Sequence, residues 1–169
     1  MPSTCYELVN MLSRVDEERH YWIKPIGRPD AKPDTSLRYD SAGHELHFAH
    51  DPQSMEVGDI VFVYRIAISK LLYAGRVVSE RRPATAAKLE QHPWRRQWPW
   101  ELDVENLTPD FGWNWSALSV KPFAVCEDFA RETGRHLSLG ALKHGSDKLQ
   151  IDLDFARRLA VAMRDAMGS

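Results

Sequence analysis

The sequence has little cysteine, no long apolar run and none of the glycine-rich loops that bind nucleotide phosphates. Cys5 and Cys126 are its only cysteines. Two thiols far apart in the chain favour a reducing cytoplasm, with a single bridge between them as the alternative. No run approaches the roughly 20 apolar residues of a membrane span, so we expect no membrane partner. The first ten residues lack the charged and apolar regions of a secretory signal, which also favours a cytoplasmic location. Without a Walker loop or a dinucleotide fingerprint, we expect no cofactor.

The composition is that of one folded domain. The chain has 169 residues, of which 43% are hydrophobic, enough for a sizeable core and too many for a disordered chain. We expect a single monomeric domain over residues 1–169. Its core is expected at about 19–155, with an N-terminal helix at 4–18 and a C-terminal helix at 153–167.

The stretch from Gly58 to Glu80 predicts the spine of the fold. Its runs 60–66 and 71–78 are rich in β-branched and aromatic residues, so they predict two antiparallel strands joined by a short loop. Few polar residues interrupt them, which indicates burial on both faces, as in a closed or helix-covered sheet. Gly75 within the second run indicates a bulge or a close backbone approach. We expect this hairpin to be the centre of a small β-barrel.

The remaining patterns predict helices and strands in alternation. Thr4 followed by Glu7 matches a capping box at the start of the first helix, and Tyr21–Pro25 predicts a strand that ends at its proline. The segment Gly27–Gly43 is a long loop without an apolar period, which is a sign of function or mobility. The order of elements predicts an α+β fold with a mostly antiparallel sheet.

Four of these features together resemble the EVE domain family. They are a first strand Tyr21–Pro25, a Gly58-Asp59 turn into a strand that ends Val63-Tyr64-Arg65, a return strand with Gly75-Arg76-Val77, and a later strand led by tryptophan. EVE domains belong to the PUA-like group, beside ASCH and YTH domains. The resemblance covers roughly residues 19–125, and the long loop after the first strand departs from the family pattern.

This resemblance implies a fold, a ligand and a partner. The fold would be a PUA-like β-barrel, mostly antiparallel and flanked by helices. The ligand would be a base flipped out of DNA or RNA, often a modified base such as a methylated one. Several such domains act in or beside modification-dependent restriction systems, so a restriction- or modification-related protein is an expected partner. The main hypothesis is therefore a non-catalytic module that binds nucleic acid.

A pocket for a base needs flat faces to hold the ring and polar groups to read its edge. Tryptophan and tyrosine side chains supply faces, and cations at strand ends reach the rim. The candidate base-binding residues are Trp22, Lys24, Tyr64, Arg65, Trp98 and Trp100. The alternative for each tryptophan is a place in the core of the barrel, because buried tryptophan is common.

A basic block lies inside an acidic chain. Residues 65–96 hold eight Lys/Arg and two acidic residues, whereas the whole chain has a net charge of −2. Such a block is the expected footprint of a polyanion site, and a solvated helix face is the alternative. The candidate phosphate-binding residues are Arg76, Arg81, Arg82, Arg95 and Arg96, with Lys88 beside them.

Two other groups of polar residues do not carry chemistry in this interpretation. His44, Glu45, His47 and His50 do not have the His-Glu-x-x-His spacing, and on a strand His44 and His47 point to opposite faces, so we expect no metal. The triad residue types in His144-Gly145-Ser146-Asp147 are adjacent in sequence, which is not triad geometry, so this segment predicts a turn.

Two rival functions remain. One is a small ASCH-like amidohydrolase that uses Lys24; a depressed pKa of Lys24 would favour it and an ordinary one would count against it. The other is a protein-interaction module with exposed tryptophans. Salt separates that module from a nucleic-acid binder, because polyanion binding weakens steeply as salt rises.

Overall fold

A seven-stranded mixed sheet with five helices around it makes up the described part of the chain. The computed structural model describes residues 4–14, 19–28, 32, 34–144 and 147–168. The strands are β1 Tyr21–Ile26, β2 Gly43–Phe48, β3 Ile60–Arg65, β4 Lys70–Val77, β5 Arg82–Pro83, β6 Trp100–Asn106 and β7 Leu149–Ile151. The helices are α1 Cys5–Leu12, α2 Ala86–Gln91, α3 Pro109–Trp113, α4 Pro122–Thr133 and α5 Leu153–Met167. The fold is therefore α+β, as the sequence predicts.

The order of the strands in the sheet is β2-β6-β4-β3-β1-β7, with β5 paired to the start of β6. β1 and β3 are parallel, and the other pairs are antiparallel. The sheet is not closed into a barrel, since no backbone pairing joins β2 to β7 within the described strands. The prediction of a closed barrel is therefore wrong: β2 and β7, the two terminal strands of the sheet, are separated by a gap.

The central hairpin is formed by β3 and β4, as predicted, and it is buried on both faces. Residues 60–64 of β3 are all buried, and α5 adds the buried stripe Phe155, Leu159 and Met163 to the same core. Gly75 marks a close approach: a Cβ atom there would lie 3.1 Å from the side chain of Val104. The irregularity in the ladder occurs instead between Val63 and Tyr64.

The ends of several elements differ from the sequence-based prediction. The Thr4–Glu7 capping box is present at the start of α1, but α1 ends at Leu12, and residues 15–18 lie outside the described part. The strand β1 does not end at Pro25, as the sequence predicts, but continues to Ile26; Pro25 lies opposite Tyr64 of β3 and beyond the residues that pair with β7. None of the helices in the described ranges is long and apolar enough to cross a membrane.

The second half of the long loop is fixed to the body of the protein around Tyr39. The backbone N–H of Tyr39 donates to Gly112 O at 3.0 Å, and Asn106 Nδ2 donates to Tyr39 O at 2.6 Å. The ring of Tyr39 stacks on the ring of Tyr73 with centroids 5.6 Å apart. A Cβ atom on Gly112 would lie 1.9 Å from Tyr39 O, so only glycine fits beneath the loop.

We expect Gly112→Ala to destabilise the protein by about 1–3 kcal/mol, as overpacking does in other cores. The added methyl group must push the Tyr39 backbone away from α3. Chemical denaturation, followed by circular dichroism, measures the change in the free energy of unfolding.

Gly140→Ala is the matched control, because nothing lies within 4 Å of a Cβ atom at that position. Equal stability of the two variants would contradict the close packing of Tyr39 on Gly112.

Candidate functional site

A pocket of about 680 Å³ opens beside the edge of β2 that faces the gap in the sheet. This volume lies within the range of small-molecule sites, about 300–1,000 Å³. Lys24, Leu46 and Tyr73, three of the buried residues in its lining, form its floor. The rest of the lining consists of Pro25, Ile26, Gly27, Arg28, Tyr39, His44, Glu45, His47, Ile66, Trp94, Trp98, Lys143 and Asp147.

Aromatic rings dominate the walls of the pocket. Tyr73 carries the ring of Tyr39 on one side and the ring of His44 at 4.7 Å. At the rim, Trp94 lies 6.3 Å from Trp98, measured between ring centroids. Burial lowers the pKa of His44, so its imidazole is neutral at pH 7. The walls therefore offer several flat faces to a planar ligand.

Lys24 brings a buried ammonium group to the floor. The residue is 4% exposed; its Nζ donates to Pro25 O at 3.1 Å and lies 4.6 Å from the centroid of the Phe48 ring. Burial lowers the pKa of Lys24 to about 8, and the negative charge of Asp147 opposes that shift. Lysine with such a pKa changes its charge within the range in which enzymes and binding proteins operate.

Asp147 bridges the gap between the two terminal strands of the sheet. Its carboxylate accepts the backbone N–H of Ala49 at 2.9 Å and of His50 at 2.7 Å, just after β2 ends. Asp147 itself lies two residues before β7. One side chain therefore links the segments next to β2 and β7 and forms part of the pocket lining.

An ion-pair network holds the chain between β5 and β6 against the outer face of β2 and β6. Glu101 is buried, and its carboxylate accepts hydrogen bonds from Lys88 Nζ at 2.7 Å, Arg82 Nε at 3.0 Å and Arg95 Nη2 at 3.0 Å. The same three cations contact Glu45. Because Trp94 and Trp98 lie in this segment, the network sets the position of the rim.

The network also accounts for a cluster of possible metal ligands. Side-chain atoms of Glu45, His47 and Glu101 lie within 4.8 Å of one another. Both carboxylates are already hydrogen-bonded to cations, and His47 Nε2 lies 2.8 Å from Glu45 Oε1. The cluster is explained by these contacts, and the absence of a metal remains a prediction.

The pocket brings together two of the six predicted base-binding residues, Lys24 and Trp98. Trp22 is 3% exposed and donates from Nε1 to Asp59 Oδ2 at 2.9 Å, so it belongs to the core. Tyr64 is buried against Phe123. Trp22 therefore has a position in the core, which the sequence analysis gives as the alternative to base binding for each tryptophan.

The last two predicted residues lie beside the pocket without lining it. Trp100 begins β6 and packs against the core, half-buried. Arg65 ends β3, and its guanidinium lies directly beneath Gly27, where a Cβ atom would be 2.7 Å from Arg65 Cζ. Side chains that sequence reasoning missed are Tyr39, Tyr73, His44, Trp94 and Asp147. Trp94 could have been found from residues 93–100, which hold three tryptophans.

Four of the five predicted phosphate-binding arginines are engaged with carboxylates. Arg82 and Arg95 belong to the network around Glu101; Arg76 pairs with Glu105 and Arg81 with Asp51. Arg96 is exposed. At the mouth of the pocket the cations are instead Arg28 and Lys143, with Arg65 close by.

Comparison with protein-family models, with curated proteins and with solved structures finds no match to this chain. The function must therefore be argued from the pocket itself.

We expect Glu101→Gln to cost about 3–5 kcal/mol of stability, because it leaves the buried guanidinium of Arg95 without its closest carboxylate.

Acid should also lower the stability of the protein by protonating Glu101. Burial would raise the pKa of Glu101, but hydrogen bonds from Lys88, Arg95 and Arg82 outweigh it and lower that pKa to about 2. The stabilisation is therefore complete above the ordinary pKa of about 4.3 and is lost as pH falls from there towards 2. Denaturation at pH 7 and at pH 3 measures both effects.

Glu105→Gln is the matched control, since the Arg76–Glu105 pair lies at the surface and such pairs contribute about 1 kcal/mol or less. The central role of Glu101 is contradicted if both variants lose the same stability.

Proposed function

We propose that this protein is a nucleic-acid-binding module that holds an extruded base, modified or plain, in the pocket beside β2. The observation that carries the proposal is a pocket of about 680 Å³ walled by aromatic rings with a cation on its floor. Enzymes and readers that act on a base take it out of the helix into such a pocket. The PUA-like character inferred from the sequence is part of this proposal, with an open sheet in place of a closed barrel.

The aromatic walls support a planar ligand over other small molecules. On the inner side Tyr39 stacks on Tyr73 and the tilted ring of His44 contacts both, and Trp94 and Trp98 lie at the rim. Stacking on such side chains is worth about 1–3 kcal/mol per base and tolerates any base, because every base has a π-face.

The cations around the mouth support a ligand that carries phosphate. Arg28 and Lys143 line the opening and Arg65 lies beneath Gly27; within the described residues, none of the three lies in an ion pair with a carboxylate. They are better placed for phosphate contacts than Arg82 and Arg95, whose guanidinium groups are bound to Glu101. Phosphate contacts fix position and leave recognition to the pocket.

We expect Trp94→Ala to weaken binding of short oligonucleotides by about fivefold to 150-fold, the equivalent of one lost stacking contact. The measurement is tryptophan fluorescence, titrated with single- and double-stranded DNA and RNA that carry plain, methylated and hydroxymethylated bases. Binding should also weaken as salt rises, because cations at the mouth release counterions from the strand.

Trp113→Ala is the matched control: Trp113 is 58% exposed and does not line the pocket. The proposal fails if no oligonucleotide changes the fluorescence at low salt, or if Trp113→Ala weakens binding as much as Trp94→Ala. Salt-independent binding of a protein partner would favour the interaction module instead.

The second candidate is a small amidohydrolase, and the lowered pKa of Lys24 favours it. No Ser, Thr or Cys lies among the described lining residues, so the nucleophile would be water. Neutral Lys24 would take a proton from water as the oxygen bonds to the amide carbon. The carbon–nitrogen bond would then break, and the lysine would return the proton to the leaving amine.

The pH dependence of amide hydrolysis tests this candidate. Its base form is the neutral amine, so kcat/KM should rise with pH up to about 8 and level off above it. Binding of a base to the charged ammonium would change in the opposite direction across the same pH. Turnover of no amide in a screen of small substrates, or equal turnover by Lys24→Met, excludes the amidohydrolase.

A further inference from the structure

The ammonium of Lys24 has donors to spare on the floor of the pocket. An ammonium carries three N–H groups, and the hydrogen bond to Pro25 O uses one of them. The face of the Phe48 ring lies on another side of the group and accepts no conventional hydrogen bond. Across the described ranges, Lys24 forms no ion pair with a carboxylate. A buried ammonium with unused donors is costly unless a ligand supplies acceptors.

The carboxylates around the pocket are committed to other partners. The two oxygens of Asp147 accept from the backbone of Ala49 and His50, so its charge acts on Lys24 from a distance. Glu45 is hydrogen-bonded by Lys88, Arg82 and His47. What the floor offers to a ligand is therefore hydrogen-bond donors with a positive charge.

The other polar groups near the floor do not reverse this character. The hydroxyl groups of Tyr39 and Tyr73 can donate as well as accept, and burial raises the pKa of both, so they stay protonated. Neutral His44 packs its ring on Tyr73. A base whose inner edge presents only an amino group would leave Lys24 facing donors.

We propose that Lys24 makes the pocket selective for bases whose inner edge carries a carbonyl oxygen, that is, keto bases of the hypoxanthine, guanine and uracil type. This inference rests on the proposed base-binding function and adds to it the chemical class of the ligand. The aromatic walls supply affinity for any base, and the lysine supplies the choice among them. A site built to hydrogen-bond one group rejects the analogue that lacks it, because its buried polar group is then left unpaired.

The test uses two pairs of trinucleotides whose central base has or lacks one keto oxygen, a loss that also leaves the adjacent ring nitrogen without its hydrogen. The first pair has hypoxanthine or purine, and the second has uracil or 2-pyrimidinone. We expect the keto member of at least one pair to bind about tenfold tighter or more, which is the effect of a hydrogen bond to a charged donor. In Lys24→Met, which keeps the volume and removes the donors, the ratio should fall to about one while both ligands still bind by stacking.

Lys143→Met is the matched control, because it removes a cation at the mouth and should weaken both ligands with the ratio unchanged. Where Lys24→Met does not fold, Lys24→Gln keeps neutral donors, and the ratio should fall without vanishing. The ratio of the affinities for the two members of a pair, measured in the unaltered protein, tests the selectivity without any variant.

Two negative results are distinguishable. Equal binding of both members of each pair, with weaker binding in Trp94→Ala, would overturn the keto selectivity and leave the base-binding function standing. No binding of any trinucleotide would overturn both.

Discussion

The candidate site depends on one buried carboxylate. Glu101 lies at the start of β6 and binds Arg82 of the paired strand β5, together with Lys88 and Arg95 from the segment that follows β5. α2 within this segment buries none of its residues, so apolar packing does not hold it. The ion pairs therefore fix a stretch of chain that ends in Trp94 and Trp98, and they set the rim of the pocket. Removing a single partner from such a network leaves a buried charge uncompensated, which makes this the most sensitive part of the site.

The gap in the sheet is the second constraint, and it explains both the pocket and the state of Lys24. A closed barrel would place a backbone ladder where the pocket opens. Here the Asp147 carboxylate, just before β7, accepts the N–H groups of Ala49 and His50, just after β2. The same opening leaves Lys24 inside the protein yet able to meet a ligand. The open sheet therefore explains both why Lys24 is buried and why no carboxylate forms an ion pair with it among the described residues.

The sequence predicts the strands well and the site only in part. Nearly continuous runs of β-branched and aromatic residues suffice for the β3–β4 hairpin, because local pattern and burial agree there. Lys24 could be found because the sequence predicts a strand that ends at the neighbouring Pro25, although β1 continues to Ile26 and Lys24 lies inside it. Trp22 and Lys24 are two residues apart in β1 and share a face of the strand. Trp22 donates a hydrogen bond to the Asp59 carboxylate, whereas Lys24 donates to the backbone oxygen of Pro25, and the spacing in the sequence does not predict this difference. The basic block resembles a phosphate site in the sequence because Glu45, Glu101 and Asp103, which bind its arginines and Lys88, lie outside it in sequence. Tyr39 reaches the pocket through the packing of its backbone on Gly112, which leaves no pattern in the chain.

The charge of Lys24 links the two candidate functions. Burial lowers the pKa of Lys24 to about 8, so the neutral amine is available as a base. Burial also leaves the charged ammonium with one hydrogen-bond acceptor, Pro25 O, among the described residues. A ligand with a carbonyl oxygen on the floor would satisfy the ammonium and raise that pKa, so binding would take the lysine out of the range in which it can act as a base. A ligand without an acceptor there would leave it neutral more often. Under the two proposals, the polarity of the edge that meets Lys24 therefore decides whether the lysine acts as a charged hydrogen-bond donor or as a base.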